Sequence, residues 1–234
     1  MTIFCLGRNH PDLPIMASPP SGAAEAASGS WPPGQEPDGW PLVAGKADSS
    51  LSGATSPIPI TPINRQVDWE AELVLRIGTP AFQLPKIAAA GAVIEAWGVG
   101  NDVSDRWWQR RGGGQWVKGK SFPGFGPYSL KQLKAREPGP LDLDRELCCR
   151  LNGTVVQQGR LSEYIHPPEA VVWQLSQVLR LQPGDLIFCG TFPGSGFTRE
   201  PKRFLKPGDE LITEIEGLGR LVNPVQALSP PSPG

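Results

Sequence analysis

Histidine is nearly missing from this chain. Of 234 residues only His10 and His166 are histidines, so Ser-His-Asp catalysis and histidine-based zinc sites are poorly supported. Cysteine is sparse as well. Cys5, Cys148, Cys149 and Cys189 contain no C-x-x-C pair, which argues against a disulfide framework or a zinc ribbon and for reduced core thiols. An excess of one charge is also lacking. With 22 Lys+Arg against 23 Asp+Glu the formal net charge is −1, and no basic field points to nucleic acid or an anionic membrane as partner. No apolar run reaches the length of a membrane span. Residues 1–16 lack the charged start and long apolar stretch of a secretory signal. A cytoplasmic location is the default expectation.

What the chain has in plenty is glycine (28) and proline (27), and they cluster, a composition of turns and β-structure. Residues 14–45 are rich in Pro, Gly, Ala and Ser, with Trp31 and Trp40 as the only aromatic anchors, and read as an irregular segment. The expected organisation is an N-terminal strand with that segment over 1–45, one continuous domain over 46–227, and a Pro/Ser tail over 228–234. Strand signals dominate the domain. Residues 67–77 alternate, with Val67, Trp69, Ala71, Leu73, Leu75 and Ile77 on one face and Asp68, Glu70, Glu72, Val74 and Arg76 on the other. Asn152-Gly153 predicts a hairpin between strands at 146–151 and 154–158. The repeated turns Leu181-Gln182-Pro183-Gly184-Asp185 and Leu205-Lys206-Pro207-Gly208-Asp209 each predict a type II turn that launches a strand. Helices are few: one from Pro167 or Pro168 to about Leu181, a second near 84–92, and a short third over 104–110. Many strands and few helices, without βαβ alternation, predict a strand-rich α+β fold with a rolled or sandwiched mixed sheet.

Asp68, Glu70 and Glu72 stand at period-two spacing, so on a strand their carboxylates share one face. Like charges in a row raise each other's pKa unless something positive sits among them, and a hard divalent cation with oxygen ligands answers that need. By itself an E-x-E pair reads as the solvated face of an edge strand. Two features favour a site instead. Asp102 ends an apolar stretch and can bring a third carboxylate from a neighbouring strand end, and a glycine-rich polar loop over 110–114 leads to Trp116-Val117-Lys118-Gly119-Lys120-Ser121.

Five blocks in this order resemble the fumarylacetoacetate hydrolase family: Val67-Asp68-Trp69-Glu70-Ala71-Glu72-Leu73, Gly100-Asn101-Asp102-Val103-Ser104-Asp105-Arg106, Gly114 through Phe122, Leu181 through Asp185 with Cys189-Gly190-Thr191, and Phe204 through Asp209 with Glu216 through Val225. The resemblance implies a mixed β-roll, often dimeric, with Mg²⁺ or Mn²⁺ held by Glu70, Glu72 and Asp102. It implies that Lys120, as a catalytic group, and Arg106 meet an anionic substrate, with Gln109 and Thr191 as further contacts. Substrates of such enzymes are typically small 2-oxo or 1,3-dicarbonyl acids such as acylpyruvates or oxaloacetate, and a homodimer is the expected assembly.

The chain also departs from the family's pattern. Hydrolytic members carry a His and a Glu just after an N-terminal G-x-N-Y motif. Here Gly7-Arg8-Asn9-His10 matches the start of the motif, and Leu13 and Met16 stand at the expected His and Glu positions. Loss of a general base removes about 10²–10⁴-fold in rate. Hydrolysis of a C–C bond needs an activated water; decarboxylation or tautomerisation leans on the metal. His10 is the nearest substitute base, with a structural role the blander expectation, and His166 reads as a loop or capping residue. The competing reading is a catalytically impaired family member that binds only metal, ligand or a partner.

Overall fold

The computed structural model describes residues 1–13, 40–111, 113–129, 134–135 and 140–228; Met16, Trp31 and the tail 229–234 lie outside these residues. The strands in chain order begin with β1 (Ile3–Leu6), β2 (Val43–Lys46), β3 (Leu51–Ser52), β4 (Ile58–Ile60) and β5 (Val67–Asp68). They continue with β6 (Ala71–Ile77), β7 (Ile94–Asn101), β8 (Ser104–Asp105), β9 (Gly126–Pro127) and β10 (Lys134–Ala135). The last are β11 (Glu146–Leu151), β12 (Thr154–Arg160), β13 (Leu186–Thr191), β14 (Glu210–Ile215) and β15 (Gly219–Ala227). The α-helices are α1 (Ile87–Ala90), α2 (Arg106–Arg110), α3 (Val117–Lys120) and α4 (Pro168–Val178). The fold is the expected strand-rich α+β type with mixed sheets.

A six-stranded sheet runs β10-β7-β6-β13-β1-β2 and a five-stranded sheet runs β12-β11-β14-β15-β4. Only β1 with β13, β4 with β15, and β3 with β9 pair in parallel among the described strands. The two large sheets pack through β6 and β7 against β11, β14 and β15. Leu73, Leu75, Ile77 and Val99 there meet Leu147, Leu151, Leu211 and Leu221 in one core, and all eight are fully buried. Each such side chain withdrawn from water contributes about 1.5–3 kcal/mol. The opposite face of the same sheet carries a smaller core of Ile3, Cys5, Val74, Tyr128, Leu186 and Phe188. This explains why β6 is apolar on both faces from Leu73 to Leu75: the alternation sends Leu73 and Leu75 to one core and Val74 to the other. All four cysteines are free thiols.

The local signals resolve as turn chemistry predicts. Asn152 (φ 51°) and Gly153 (φ 79°) close the β11–β12 hairpin with both residues left-handed. Gly184 and Gly208 sit at φ 90° and 94° in the two Pro-Gly turns, the position where a type II turn demands glycine. The helix expected to reach Leu181 stops at Val178, where Leu179 turns extended. The helix expected over 84–92 is a single turn, α1, followed by a 3₁₀ turn at Gly91–Val93. The expected single strand over 67–77 is interrupted. Val67–Asp68 pairs with β8, while pairing in the main sheet starts at Ala71. The end of the segment expected to be irregular forms β2, which hydrogen-bonds antiparallel to β1. A strand of four residues recruited by a neighbour has no local periodicity to announce it.

Candidate metal and substrate site

The interruption of the strand at Trp69-Glu70 builds the site. In the β6–β7 pair Ala71 faces Asn101 and Glu72 faces Gly100, so Asp102 emerges beside Glu70 at the end of the ladder. The Asp102 N–H donates to the Glu70 carbonyl at 2.8 Å, and the Glu70 N–H donates to Asn101 Oδ1 at 2.9 Å. Asn101 in turn donates through Nδ2 to Thr213 Oγ1 at 3.0 Å, which ties the site to the second sheet. Each of Glu70, Glu72 and Asp102 offers a carboxylate oxygen, and the three oxygens lie within 4.8 Å of one another. Glu72 and Asp102 are fully buried and Glu70 is 8% exposed.

Three buried cations flank this cluster. Lys120, at the end of α3, donates from Nζ to Glu70 Oε2 at 2.7 Å, to Ser104 Oγ at 3.0 Å and to Asp102 Oδ2. Lys46 Nζ forms an ion pair with Asp102 Oδ1 at 2.9 Å without hydrogen-bond alignment, and donates to the Phe125 carbonyl at 2.9 Å and to the Lys120 carbonyl. Arg106 Nη1 lies 2.8 Å from Glu70 Oε1, and its Nε donates to Asp68 Oδ2 at 2.8 Å. Asp105 places Arg106 by capping α2, accepting from the Trp107 and Trp108 N–H groups. That cap sets Arg106 and Gln109 on one buried face, and Arg106 Nη1 donates to Gln109 Oε1 at 3.2 Å.

Electrostatics divide the acids. Burial alone raises the Asp102 carboxyl, but the ammoniums of Lys120 and Lys46 override it and hold it down at about 2. Glu72 has no such cation in contact. Burial first, then the charges of Asp102 and Glu70, push its carboxyl well above the usual range. Its Oε2 accepts from the Gly190 N–H at 2.7 Å, while its buried Oε1 has no hydrogen-bond partner among the described residues. An orphaned buried carboxylate oxygen is costly, and this one belongs to the three-acid cluster. The donor set is all oxygen, which suits Mg²⁺ or Mn²⁺.

A cleft of about 400 Å³, its open mouth included, adjoins the cluster. Glu70, Arg106, Gln109 and Thr191 form its polar side, and Leu13, Trp116 and Phe197 its apolar wall, with the Ser195 and Thr198 hydroxyls beside them. Lys120 is absent from that lining and sits behind Glu70 and Asp102, 5.8 Å from the Trp116 ring centroid. The Thr191 hydroxyl donates to the Ala71 carbonyl and receives Gln157 Nε2. His10 does not face the cleft. Its Nε2 meets Glu163 Oε2 at 3.0 Å and its Nδ1 accepts from the Asp12 N–H. Asn9 beside it holds His166, accepting from the His166 N–H at 2.7 Å and donating to the His166 carbonyl at 3.0 Å. The sequence offered no signal for Lys46, a single lysine near a Pro/Gly-rich stretch. Gly190, whose N–H reaches Glu72, was visible only as part of a block.

The fold and this acid cluster define a class. The fumarylacetoacetate (FAA) hydrolase C-terminal family model matches residues 2–226, and the chain belongs to that family. Among curated relatives it is 39% identical over 189 residues to a human mitochondrial oxaloacetate tautomerase, covering 79% of this chain and 59% of the relative. A fumarylacetoacetate hydrolase domain-containing protein 2 homolog of Dictyostelium discoideum is 40% identical over 196 residues, covering 80% and 64%. The chain thus spans about six-tenths of the length of these relatives. Among solved structures, a 5-carboxymethyl-2-hydroxymuconate delta-isomerase from Mycobacterium smegmatis superposes with a TM-score of 0.76 at 30% identity, over 97% of this chain and 79% of that one. A fumarylacetoacetate hydrolase from Exiguobacterium antarcticum gives a TM-score of 0.79 at 28% identity, over 97% and 75%.

Proposed function

We propose that this protein is a divalent-metal-dependent enzyme that tautomerises a small 2-oxo acid of the oxaloacetate type. The observation that carries the reading is the convergence of Glu70, Glu72 and Asp102, with an orphaned Glu72 oxygen, beside a cleft lined by Arg106. The charge balance supports it. Four buried carboxylates, Asp68, Glu70, Glu72 and Asp102, face three buried cations, Lys46, Arg106 and Lys120. With all four carboxylates ionised around a bound divalent cation, the set carries one net positive charge, which an anionic substrate then meets. Mg²⁺ or Mn²⁺ held by the three acids would supply Lewis-acid polarisation of the 2-oxo group.

The side chains supply the rest. Arg106 spends Nε and Nη1 on Asp68, Glu70 and Gln109, which leaves its Nη2 edge for a substrate carboxylate. Gln109 gives its Oε1 to Arg106 and keeps its amide N–H groups as donors toward the cleft. Thr191 uses its hydroxyl proton on Ala71, so it shapes the wall rather than donating to an anion. Lys120 is held charged. Burial disfavours its ammonium, but Asp102 and Glu70 outweigh that and raise its pKa. It therefore acts as a fixed positive charge rather than a base.

An apolar wall, and the lack of a histidine at the cleft among the described residues, favour tautomerisation over hydrolysis. Hydrolysis consumes a water and needs a group to activate it. No histidine lines the cleft, Leu13 stands in its wall, and both His10 nitrogens are engaged elsewhere. Tautomerisation breaks one C3–H bond and forms one O–H bond, so it needs a proton carrier, a role open to solvent beside a metal-polarised 2-oxo group, but no nucleophilic water. The human relative is named an oxaloacetate tautomerase, which agrees. The test follows enol absorbance of oxaloacetate with Mg²⁺ or Mn²⁺ and after chelation, with carbon dioxide release in parallel. Metal-dependent enol–keto conversion is expected. No acceleration over buffer with metal defeats the reading, and stoichiometric carbon dioxide makes the enzyme a decarboxylase instead. The homodimer is part of the same proposal and is read by light scattering. As to location, no helix among the described residues is long and apolar enough to cross a membrane, and the human relative's name places that protein in mitochondria.

A further inference from the structure

Asp68 begins the acidic alternation that continues with Glu70 and Glu72, yet its surroundings differ from theirs. It is fully buried. Oδ1 accepts from the Trp69 N–H at 2.9 Å and the Gly196 N–H at 2.6 Å. Oδ2 accepts from Arg106 Nε at 2.8 Å and the Phe197 N–H at 3.0 Å. Four donors fill the roughly four lone-pair sites of a carboxylate, so nothing remains for a cation. Glu72, by contrast, keeps one oxygen without a partner. The first acid of the row is therefore not a further metal ligand.

Two of those four donors, Arg106 and Phe197, line the cleft, and a third, Gly196, sits between the lining residues Ser195 and Phe197. Arg106 lines its polar side, and Ser195, Phe197 and Thr198 also line it. That wall segment has little freedom of its own. A Cβ on Gly196 would lie 1.7 Å from the Arg203 carbonyl oxygen, so the chain passes too close to residue 203 for any side chain. The Arg203 N–H donates to the Gly196 carbonyl at 3.1 Å, and the Gly196 N–H is turned the other way, onto Asp68. Arg106 is fixed along its Nε edge by the same carboxylate, which decides where Nη2 points.

We propose that Asp68 is a positioning residue for substrate recognition, setting the direction of the Arg106 guanidinium and the place of the 195–198 wall through one carboxylate. The inference rests on the functional reading above, that the cleft takes an anionic acid beside a cation. An asparagine at 68 keeps an acceptor for Trp69 and Gly196 but turns an NH₂ toward Arg106 Nε and the Phe197 N–H, donor against donor. A misplacement of about 1 Å in a group that orients substrate can cost about 100-fold.

The test is calorimetric titration of the intact protein with Mg²⁺, then with oxalate in saturating Mg²⁺, for wild type, Asp68→Asn, Arg106→Lys and the double variant. For Asp68→Asn the Mg²⁺ affinity is expected within about threefold of wild type, and oxalate binding weaker by about 10–100-fold. With oxaloacetate the change appears in KM more than in kcat. Since one of the two routes from Asp68 runs through Arg106, adding Asp68→Asn to Arg106→Lys weakens oxalate by less than the product of the two single effects. Unchanged oxalate binding in Asp68→Asn overturns the assignment. So does a parallel collapse of Mg²⁺ affinity, which makes Asp68 part of the ion site, or a variant that does not fold, which makes it a folding residue. A wild-type protein that binds Mg²⁺ but no oxalate overturns the functional reading and this inference together; a wild type that binds both, with Asp68→Asn binding oxalate equally well, overturns only the role of Asp68.

Discussion

Single side chains at this site are held by opposing forces, and two substitutions separate them. Glu72 is buried without a contacting cation, and its carboxyl is pushed up by burial and by its acidic neighbours. Glu72→Gln keeps the shape, and the Gln carbonyl can still accept from Gly190. It removes an anionic ligand, so Mg²⁺ and Mn²⁺ affinity is expected to fall more than about 100-fold, beyond what outer-shell groups usually contribute. Stability without metal is expected to hold or rise at neutral pH, because the cost of keeping a carboxyl protonated that the unfolded chain would ionise is gone. Metal titration and thermal melts read both, and retained affinity would remove Glu72 from the ligand set. Lys46 tests the opposite case. It is 5% exposed, pairs with Asp102 and donates to backbone carbonyls from two other segments. Lys46→Met leaves those acceptors buried and one cation fewer beside Asp102. The expected cost is about 3–5 kcal/mol, the range for breaking a buried pair, measured by the denaturant midpoint. A cost under about 1 kcal/mol, typical of an exposed pair, would show that the pair is not holding the structure.

Elements bring these side chains together, and they differ in how far the sequence reveals them. The Asn152-Gly153 hairpin, the Pro183-Gly184 and Pro207-Gly208 turns and helix α4 were legible because each rests on local chemistry: left-handed glycines, proline-fixed φ, an apolar stripe. The acid face of 68, 70 and 72 was legible from period-two spacing. Its division of labour was not, because Asp68 is saturated by donors from residues 106, 196 and 197, far away in sequence. Nor was β2, which exists because β1 offers it an edge and which delivers Lys46. Lys120 was visible only by its block; that it sits in a one-turn helix behind the acids is a tertiary result. The irregularity between Phe188 and Thr191 in the β6–β13 pairing belongs to the same kind. Gly190 stands there at φ 90°, and a Cβ on it would come within 2.7 Å of Asn9 Cβ. Gly190→Ala is expected to destabilise by at least about 1–2 kcal/mol from the left-handed conformation alone. By moving the N–H that Glu72 accepts, it should also weaken metal binding. A variant with unaltered metal affinity would show that the bulge does not aim Glu72.

At the scale of the whole molecule the buried charges make stability a function of both pH and metal, with opposite signs for two acids. Asp102 has its carboxyl held at about 2, below the ordinary 3.8. Its stabilisation is complete above about pH 3.8 and is lost as pH falls toward 2, because the unfolded chain takes up the proton first. Glu72 is shifted the other way, well above 4.5. Without metal the folded protein keeps that proton as pH rises past 4.5 while the unfolded chain releases it, so this group subtracts stability increasingly with pH. A bound cation displaces the proton, hence its affinity strengthens with pH. Mg²⁺ at about 100 times its dissociation constant adds about 2.7 kcal/mol. Thermal melts across pH 4–8, with Mg²⁺ and with chelator, should therefore diverge as pH rises and converge toward acid. In Glu72→Gln the two curves should coincide throughout. Curves that stay parallel at every pH would mean that no proton leaves Glu72 when the metal binds.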